Sequence, residues 1–434
     1  MGVTLRYPPS IQWEVTSNCN HNCIHCYNYW RKDFEIIKDQ ARQLTEEQYL
    51  TMARKIIEQK PVSIVVTGGE PFLVFDKIKS SVELLLENKI SVSFNSNVAL
   101  VDQRIVDFLV KNKIGVFVSF PCCKPEVNDF ITSTKGSFNR VIESLDLMYK
   151  NKVPFTCNMV VSTANLDYVE ETTDFLYTRY CIDRISITRV GKPVNSSDYF
   201  NQFLLDSEKI KKLQEVSLAI HKKYNIEVTT SCPYTPCSIS SQEVYDLFGE
   251  KGICTAGKTT YAIDTEGNVK ACPRDGKLYG NILKEDLPTI WERMKEWRDG
   301  SLIPDACKEC NKVSKCFGGC RVGAFPTTGK MNLPDVICNP KNVPVKFTPA
   351  RTTPFTSKDK FKIDKNILYL VEDCGIRASA NRKYMYLQPK LYEFMKDRKE
   401  FTFEEVKNYF SAEDEMVNAI LKTLVNALLI HKIK

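Results

Sequence analysis

No stretch of this 434-residue chain approaches the roughly eighteen consecutive apolar residues that a membrane-spanning helix needs. Its first residues, MGVTLRYPPSIQ, also lack the apolar run of a signal peptide. The expected location is therefore the cytoplasm. An excess of one charge is missing too: 60 Lys and Arg stand against 53 Asp and Glu, a net +7, with both signs interspersed. So mild a balance gives no electrostatic footprint for nucleic acid. There is no internal repeat and no low-complexity tract. With 43% hydrophobic and 26% charged residues, the composition is that of an ordinary soluble globular protein. Its length exceeds what one core usually organises, so several domains are expected.

What the chain has in excess is cysteine. Seventeen of them, an odd number in a reducing compartment, do not suit a disulfide framework. They are also grouped, with three in Cys19–Cys26 and seven more between Cys254 and Cys338. Metal or cluster ligation explains both facts.

Residues 11–200 alternate β-rich runs with amphipathic stretches. Strands are predicted at Gln12–Val15, Val62–Thr67, Ser91–Asn95, Val116–Phe120, Phe155–Val161 and Arg184–Val190. The run Thr45-Glu46-Glu47-Gln48 has the form of a capping box, and Tyr49, Met52, Ala53, Ile56 and Ile57 follow at helical spacing. Further helices fit residues 76–88, 101–112, 138–150 and 166–179. Strand-then-helix units in series imply parallel strands with right-handed crossovers, an α/β barrel or open sheet with functional loops at the C-terminal strand ends.

The first strand leads into Cys19-Asn-His-Asn-Cys23-Ile-His-Cys26. Three thiolates so close can hold three irons of a 4Fe–4S cube and leave the fourth iron open to a small molecule. Zinc is the competing reading, with His21 and His25 as extra ligands, but structural zinc usually joins two separated knuckles. One strand later, Thr67-Gly68-Gly69-Glu70-Pro71 ends a buried strand in paired glycines and a carboxylate. Glycines admit a close approach to the backbone, and Glu70 could receive an ammonium group; alone, the motif could be an ordinary turn.

Together the CxxxCxxC loop and TGGEPFL resemble the radical S-adenosylmethionine superfamily. Over residues 10–200 the resemblance implies a partial (β/α)6 TIM-like barrel. It implies that Cys19, Cys23 and Cys26 hold a 4Fe–4S cluster whose unique iron S-adenosylmethionine chelates. Gly68, Gly69 and Glu70 would bind its methionyl amine, and Asn95-Ser96-Asn97 would approach its ribose. Reductive cleavage then yields a 5′-deoxyadenosyl radical, which takes a hydrogen atom from substrate. Ser119 matches the first position of a Ser-Leu-Asp-Gly segment in one subgroup, but here the chain reads Ser119-Phe120-Pro121-Cys122-Cys123. The vicinal cysteines are read as packing side chains in preference to reactive ones.

The second group runs Cys254, Gly267, Cys272, then Cys307-x2-Cys310-x5-Cys316-x3-Cys320, and Cys338. Spacing alone does not separate a two-zinc module from iron. The whole pattern, with Gly280-Asn281-Ile282, resembles the cysteine-rich SPASM domain and implies two auxiliary 4Fe–4S clusters, three in all. Cys307, Cys310, Cys316 and Cys338 would ligate the outer one; Cys254, Cys272 and Cys320 the inner one. No extra cysteine lies between 254 and 272. The inner site's fourth ligand is then Cys232 or Cys237, or the site is open to substrate. Asp275 is the one candidate catalytic residue, weighed against a solvated loop aspartate.

The expected domains are a barrel over 1–205, a connector over 206–250, the auxiliary domain over 251–345, a linker over 346–361 and a last module over 362–434. In that module, strands are predicted at Ile367–Val371, Lys383–Leu387 and Leu429–Ile433, and helices at Pro389–Lys396, Thr402–Phe410 and Glu413–Leu429. The pattern is that of a small winged-helix-like α+β fold. Its last helix shows no basic stripe, which argues against DNA. It resembles the PqqD-like domain that recognises precursor peptides by adding a leader strand to a sheet edge. The expected activity is modification of a ribosomally made precursor peptide by crosslink, thioether, epimerisation or backbone rearrangement, with flavodoxin or ferredoxin as reductant. The alternatives are an anaerobic sulfatase-type maturase, a small-molecule radical dehydrogenase and a zinc-binding winged-helix regulator.

Overall fold

The computed structural model describes residues 8–28, 31–32, 35–36, 44–249, 254–339, 354–372, 375–380 and 383–433. Six parallel strands lie side by side in chain order: β1 (Ser10–Thr16), β2 (Ser63–Gly68), β3 (Ser91–Ser96), β4 (Gly115–Ser119), β5 (Phe155–Val161) and β6 (Arg184–Arg189). Helices α1 (Glu46–Glu58), α2 (Phe75–Glu87), α3 (Gln103–Lys111), α4 (Pro125–Thr132), α5 (Ser137–Lys150) and α6 (Val169–Tyr180) connect them. The pleat sorts the side chains. Ile64 and Val66 of β2, Val92 and Phe94 of β3, and Val116 and Val118 of β4 are buried in the main core with the helices. Alternate residues, Thr67, Asn95 and Ser119 among them, face the other side. The sheet thus has one apolar face under the helices and one polar face for a ligand.

The capping box at Thr45 and Gln48 is formed, and α1 buries Tyr49, Met52, Ala53 and Ile56. Trp13 of β1 packs edge-on against Tyr49, and its indole N–H donates to the Met52 sulfur at 3.1 Å. Each such fully buried side chain contributes about 1.5–3 kcal/mol. The helix α4 was not anticipated from the sequence, and it matters. Its last turn accepts hydrogen bonds from Asn22 N and Ile24 N, through Thr132 O and Ile131 O. Ile24 sinks into a small cluster with Ile131, Val190, Phe200 and Phe203. The first cysteine loop is pinned by this helix.

The sheet continues past the expected six strands. After α7 (Ser207–Tyr224), β7 (Glu227–Thr229) pairs in parallel with β6. On the other edge β8 (Thr260–Ile263) pairs in parallel with β1, followed by antiparallel β9 (Asn268–Lys270) and β10 (Gly280–Asn281). The stretch read as a connector therefore builds sheet, and the cysteine-rich segment is anchored on β1. Strands of three or four residues carry too little periodicity to be read from sequence. A buried ion pair locks this seam: Lys270 Nζ donates to Glu14 Oε2 at 2.6 Å, both side chains at most 1% exposed.

The C-terminal module has its own core, including Phe361, Phe394, Phe401, Phe403, Val417 and Leu421. Two antiparallel three-stranded sheets are formed by β11 (Lys360–Ile363), β12 (Leu368–Glu372), β13 (Gly375–Ala380), β14 (Lys383–Leu387), β15 (Glu400–Thr402) and β16 (Ile430–Ile433). One runs β15-β11-β16, the other β12-β13-β14. Helices α8 (Pro389–Met395), α9 (Phe403–Phe410) and α10 (Asp414–Asn426) complete it. The central strand β13 was not foreseen, because Gly375, Ala378, Ser379 and Ala380 have little strand preference and are held there by pairing on both sides. Half of the expected linker, residues 346–353, lies outside the described residues.

The module touches the barrel. Arg377 Nη2 donates to Lys60 O at 2.6 Å, and the Tyr384 hydroxyl is hydrogen-bonded to Thr259. Lys60 and Thr259 precede β2 and β8, so these contacts lie at the N-terminal strand ends. No helix among the described residues is long and apolar enough to cross a membrane.

Candidate active site and auxiliary sites

The loop after β1 and the loop after β2 meet at the C-terminal ends of the strands. Gly69 N donates to Thr16 O at 2.6 Å and Glu70 N to Asn18 O at 2.8 Å. The two glycines make this contact possible. A Cβ on Gly69 would stand 1.9 Å from Asn18 O, and one on Gly68, at φ +133°, 2.3 Å from Thr16 O. The paired glycines are therefore required first by the cysteine loop itself.

Glu70 is fully buried. Its Oε1 accepts from Phe72 N at 3.0 Å and Ser96 Oγ at 2.7 Å, and its Oε2 accepts from Asn97 N at 2.9 Å. Burial nevertheless pushes its carboxyl up to about 7. Three donors leave room for about one more hydrogen bond on a carboxylate. Glu70 and Ser96 thus tie the ends of β2 and β3 together. Ser96 Oγ also accepts from Val98 N at 2.8 Å. Asn95 Nδ2 donates to Thr67 Oγ1 at 3.3 Å. Asn97, the last residue of that segment, reaches the cysteine loop: its Nδ2 donates to Asn20 Oδ1 at 2.8 Å and approaches Cys19 Sγ at 3.7 Å. His21 N lies 3.4 Å from the same sulfur. Donors of this kind stabilise a thiolate and suit a sulfur-bound cluster.

Ser119 ends β4 beside Asn158 of β5. Asn158 Oδ1 accepts from Thr188 Oγ1 at 2.9 Å, which continues the polar face. Cys122 and Cys123 lie elsewhere, against Thr172 of α6, with Cys123 N donating to Thr172 Oγ1 at 3.1 Å.

The second group of cysteines separates into two sets. Cys232 is hydrogen-bonded to Cys320, and Cys254, Cys272 and Cys320 lie within electrostatic reach of one another. Cys237 goes elsewhere. It is hydrogen-bonded to Cys338 and neighbours Cys307 and Cys316, while Cys310 N donates to Cys307 O at 3.0 Å. Among the described residues no three His, Cys, Asp or Glu side chains converge closely enough to hold a single metal ion. A cube takes one thiolate at each iron and tolerates wider spacing.

Asp275 is not a solvated loop residue. It is 1% exposed, accepts from Lys277 N at 3.0 Å through Oδ1, and has no partner at Oδ2. Burial lifts its carboxyl to about 6. Tyr27, next to Cys26, is hydrogen-bonded to Thr67 and stands within electrostatic reach of Cys272. The first cysteine loop and the inner set are neighbours.

Residues 13–176 match the Radical SAM superfamily, and residues 254–311 match an iron-sulfur cluster-binding domain of SPASM type. The chain is thus an enzyme that carries a Radical SAM domain followed by an iron-sulfur cluster-binding domain. It is 25% identical over 341 residues to the mycofactocin maturase MftC of Mycolicibacterium smegmatis, covering 76% of this chain and 82% of that protein. It is 24% identical to the AdoMet-dependent heme synthase of Methanosarcina barkeri, covering 74% and 93%. Among solved structures, Streptococcus suis SuiB bound to the precursor peptide SuiA superposes with a TM-score of 0.61 at 18% identity, covering 77% of this chain and 76% of that one. That likeness is one of fold. Such an enzyme uses S-adenosylmethionine and iron–sulfur clusters.

Sequence reasoning missed Arg189, Arg274 and Asp335, and it placed Asn97 near the ribose without foreseeing its contact with the cysteine loop. Arg189 and Asp335 form a buried pair at 2.7 Å across 146 residues, and Asp335 Oδ2 also accepts from Cys320 N at 2.8 Å. Nothing local in the sequence marks such a pair.

Proposed function

We propose that the chain is a cytoplasmic maturase of a ribosomally made precursor peptide, carrying three 4Fe–4S clusters. Cys19, Cys23 and Cys26 hold the cluster that binds S-adenosylmethionine. Cys232, Cys254, Cys272 and Cys320 form the inner auxiliary site; Cys307, Cys310, Cys316 and Cys338 form the outer one, with Cys237 beside it. When bound, S-adenosylmethionine supplies the 5′-deoxyadenosyl radical. The chain's own part is to close the GGE loop onto the cysteine loop, to present a polar face of Asn95, Ser119 and Asn158, and to offer the buried Asp275 as proton acceptor. A flavodoxin or ferredoxin supplies the electron.

The observation that carries the peptide reading is the edge of the C-terminal module. No strand among the described residues pairs with the outer edge of β12, and Val371 on it is 76% exposed. Such an edge accepts an added strand, with backbone hydrogen bonds for affinity and side-chain pockets for specificity. The module is of the PqqD-like, precursor-recognising type. Among the similar proteins, SuiB binds a precursor peptide and MftC is a maturase, which supports this reading; the other is a heme synthase, which keeps a small-molecule substrate as the second reading.

The test is anaerobic turnover of the reconstituted holoenzyme with a short peptide encoded beside its gene. Release of 5′-deoxyadenosine is expected to rise with the full precursor and to fall back when the leader is removed. Equal stimulation by leaderless peptide, or by none, would refute the peptide reading and favour the small molecule.

A further inference from the structure

Arg189 ends β6 and is 3% exposed; Arg274 follows Cys272 and lies across Gly191, where a Cβ would stand 2.5 Å from its Nη2. The two guanidinium groups lie within electrostatic reach of each other and of Cys232 and Cys320. Arg274 Nη1 approaches Cys320 Sγ at 3.7 Å. Two cations so placed, Arg189 buried and Arg274 half-buried, repel, and Asp335 answers only Arg189. Two donors beside Cys232 also lack a protein acceptor: Arg189 Nε–H and the hydroxyl of Tyr234, itself 3% exposed. A buried donor left unsatisfied costs about 1–3 kcal/mol, so native structures rarely carry two together. Surplus positive charge and idle donors at one point describe a cradle for an anionic sulfur centre.

We infer that Arg189, Arg274 and Tyr234 donate to the sulfurs of a closed, four-thiolate inner cluster at its Cys232 corner and raise its reduction potential. The inference rests on the inner ligand set given above. Net charge and hydrogen bonds to sulfur are the protein's usual means of setting such a potential. With Cys232 as fourth ligand no iron is left for a substrate sulfur, which confines the inner site to passing electrons. These are positioning residues; none touches the reacting carbon.

The experiment is a redox titration of the anaerobic holoenzyme followed by electron paramagnetic resonance, with the inner signal assigned by its loss in Cys272→Ala. Tyr234→Phe removes one hydroxyl and keeps the ring that packs on Phe248. It is expected to retain wild-type iron while the inner cluster becomes harder to reduce, by about tenfold in its reduced-to-oxidised ratio at fixed potential, or ~59 mV for one electron. Arg274→Gln is expected to shift it further in the same direction. The outer and S-adenosylmethionine clusters keep their potentials in both. An unchanged inner potential in both variants, with iron intact, overturns the donor role. Full iron and an unaltered inner spectrum in Cys232→Ser overturn the closed site. A wild-type protein lacking the inner signal altogether overturns the ligand set beneath both.

Discussion

Gly69→Ala is the sharpest probe of how the two loops are joined. The added Cβ would meet Asn18 O at 1.9 Å, Asn18 C at 2.5 Å and Ser17 O at 2.9 Å, all backbone atoms that cannot swing aside. To restore an ordinary contact of 3.4 Å, the cysteine loop must retreat by about 1.5 Å. That movement stretches the Glu70 N to Asn18 O and Gly69 N to Thr16 O bonds, 2.8 and 2.6 Å in the native chain. Overpacking costs about 1–3 kcal/mol and each of the two weakened hydrogen bonds about 1 kcal/mol, so a loss of roughly 3–5 kcal/mol is expected. Catalysis should suffer more, since a misplacement of about 1 Å commonly costs on the order of a hundredfold. The assays are urea unfolding of the purified chain and 5′-deoxyadenosine release from the reconstituted one. Wild-type release with an unchanged urea midpoint would refute the claim that these glycines serve the close backbone approach.

Two further predictions follow from buried charge. Glu70 has its carboxyl raised from 4.5 to about 7, so the folded state binds its proton more tightly than the unfolded one. Stability is then fully present below about pH 4.5 and is lost as pH rises through 7, by up to about 3 kcal/mol. Urea midpoints measured from pH 5 to 7.5 should fall in the wild-type apo chain and flatten in Glu70→Gln; parallel slopes would count against it. Asp335→Ala strands the Arg189 charge and the Cys320 N–H in the interior, and should cost about 3–5 kcal/mol, read by denaturation. Iron retention should drop in the auxiliary domain before the first cluster is affected.

The sequence made the six barrel strands legible because each is long enough to show its alternation, and α1 because its capping box and apolar spacing agree. Cysteine spacing sorted the ten clustered thiols into their loops. It could not sort Cys232 from Cys237, since both sit in one irregular run and only the fold sends one inward and the other outward. The short strands β7 and β8 escaped for lack of period, and β13 because small residues take strand geometry only under tertiary pressure. Asp275 was misjudged in one respect: a polar loop residue near a cysteine looks solvated, but the fold leaves it 1% exposed. The ion pairs Glu14–Lys270 and Arg189–Asp335 join residues 256 and 146 positions apart, a relation no local pattern carries.

The docking of the C-terminal module at the N-terminal ends of β2 and β8 makes the barrel a ruler. The six residues of β2 span about 20 Å, and the radical chemistry lies at their far end. An extended chain covers at most about 3.3–3.6 Å per residue. If a precursor is held on the module as proposed, it needs at least about six residues merely to match that depth, and more to pass around the helices. Residues close behind the anchored segment stay out of reach however reactive they are. Shortening that spacer in the precursor should leave binding intact and abolish modification, so the substrate's chemistry is chosen partly by distance along its chain.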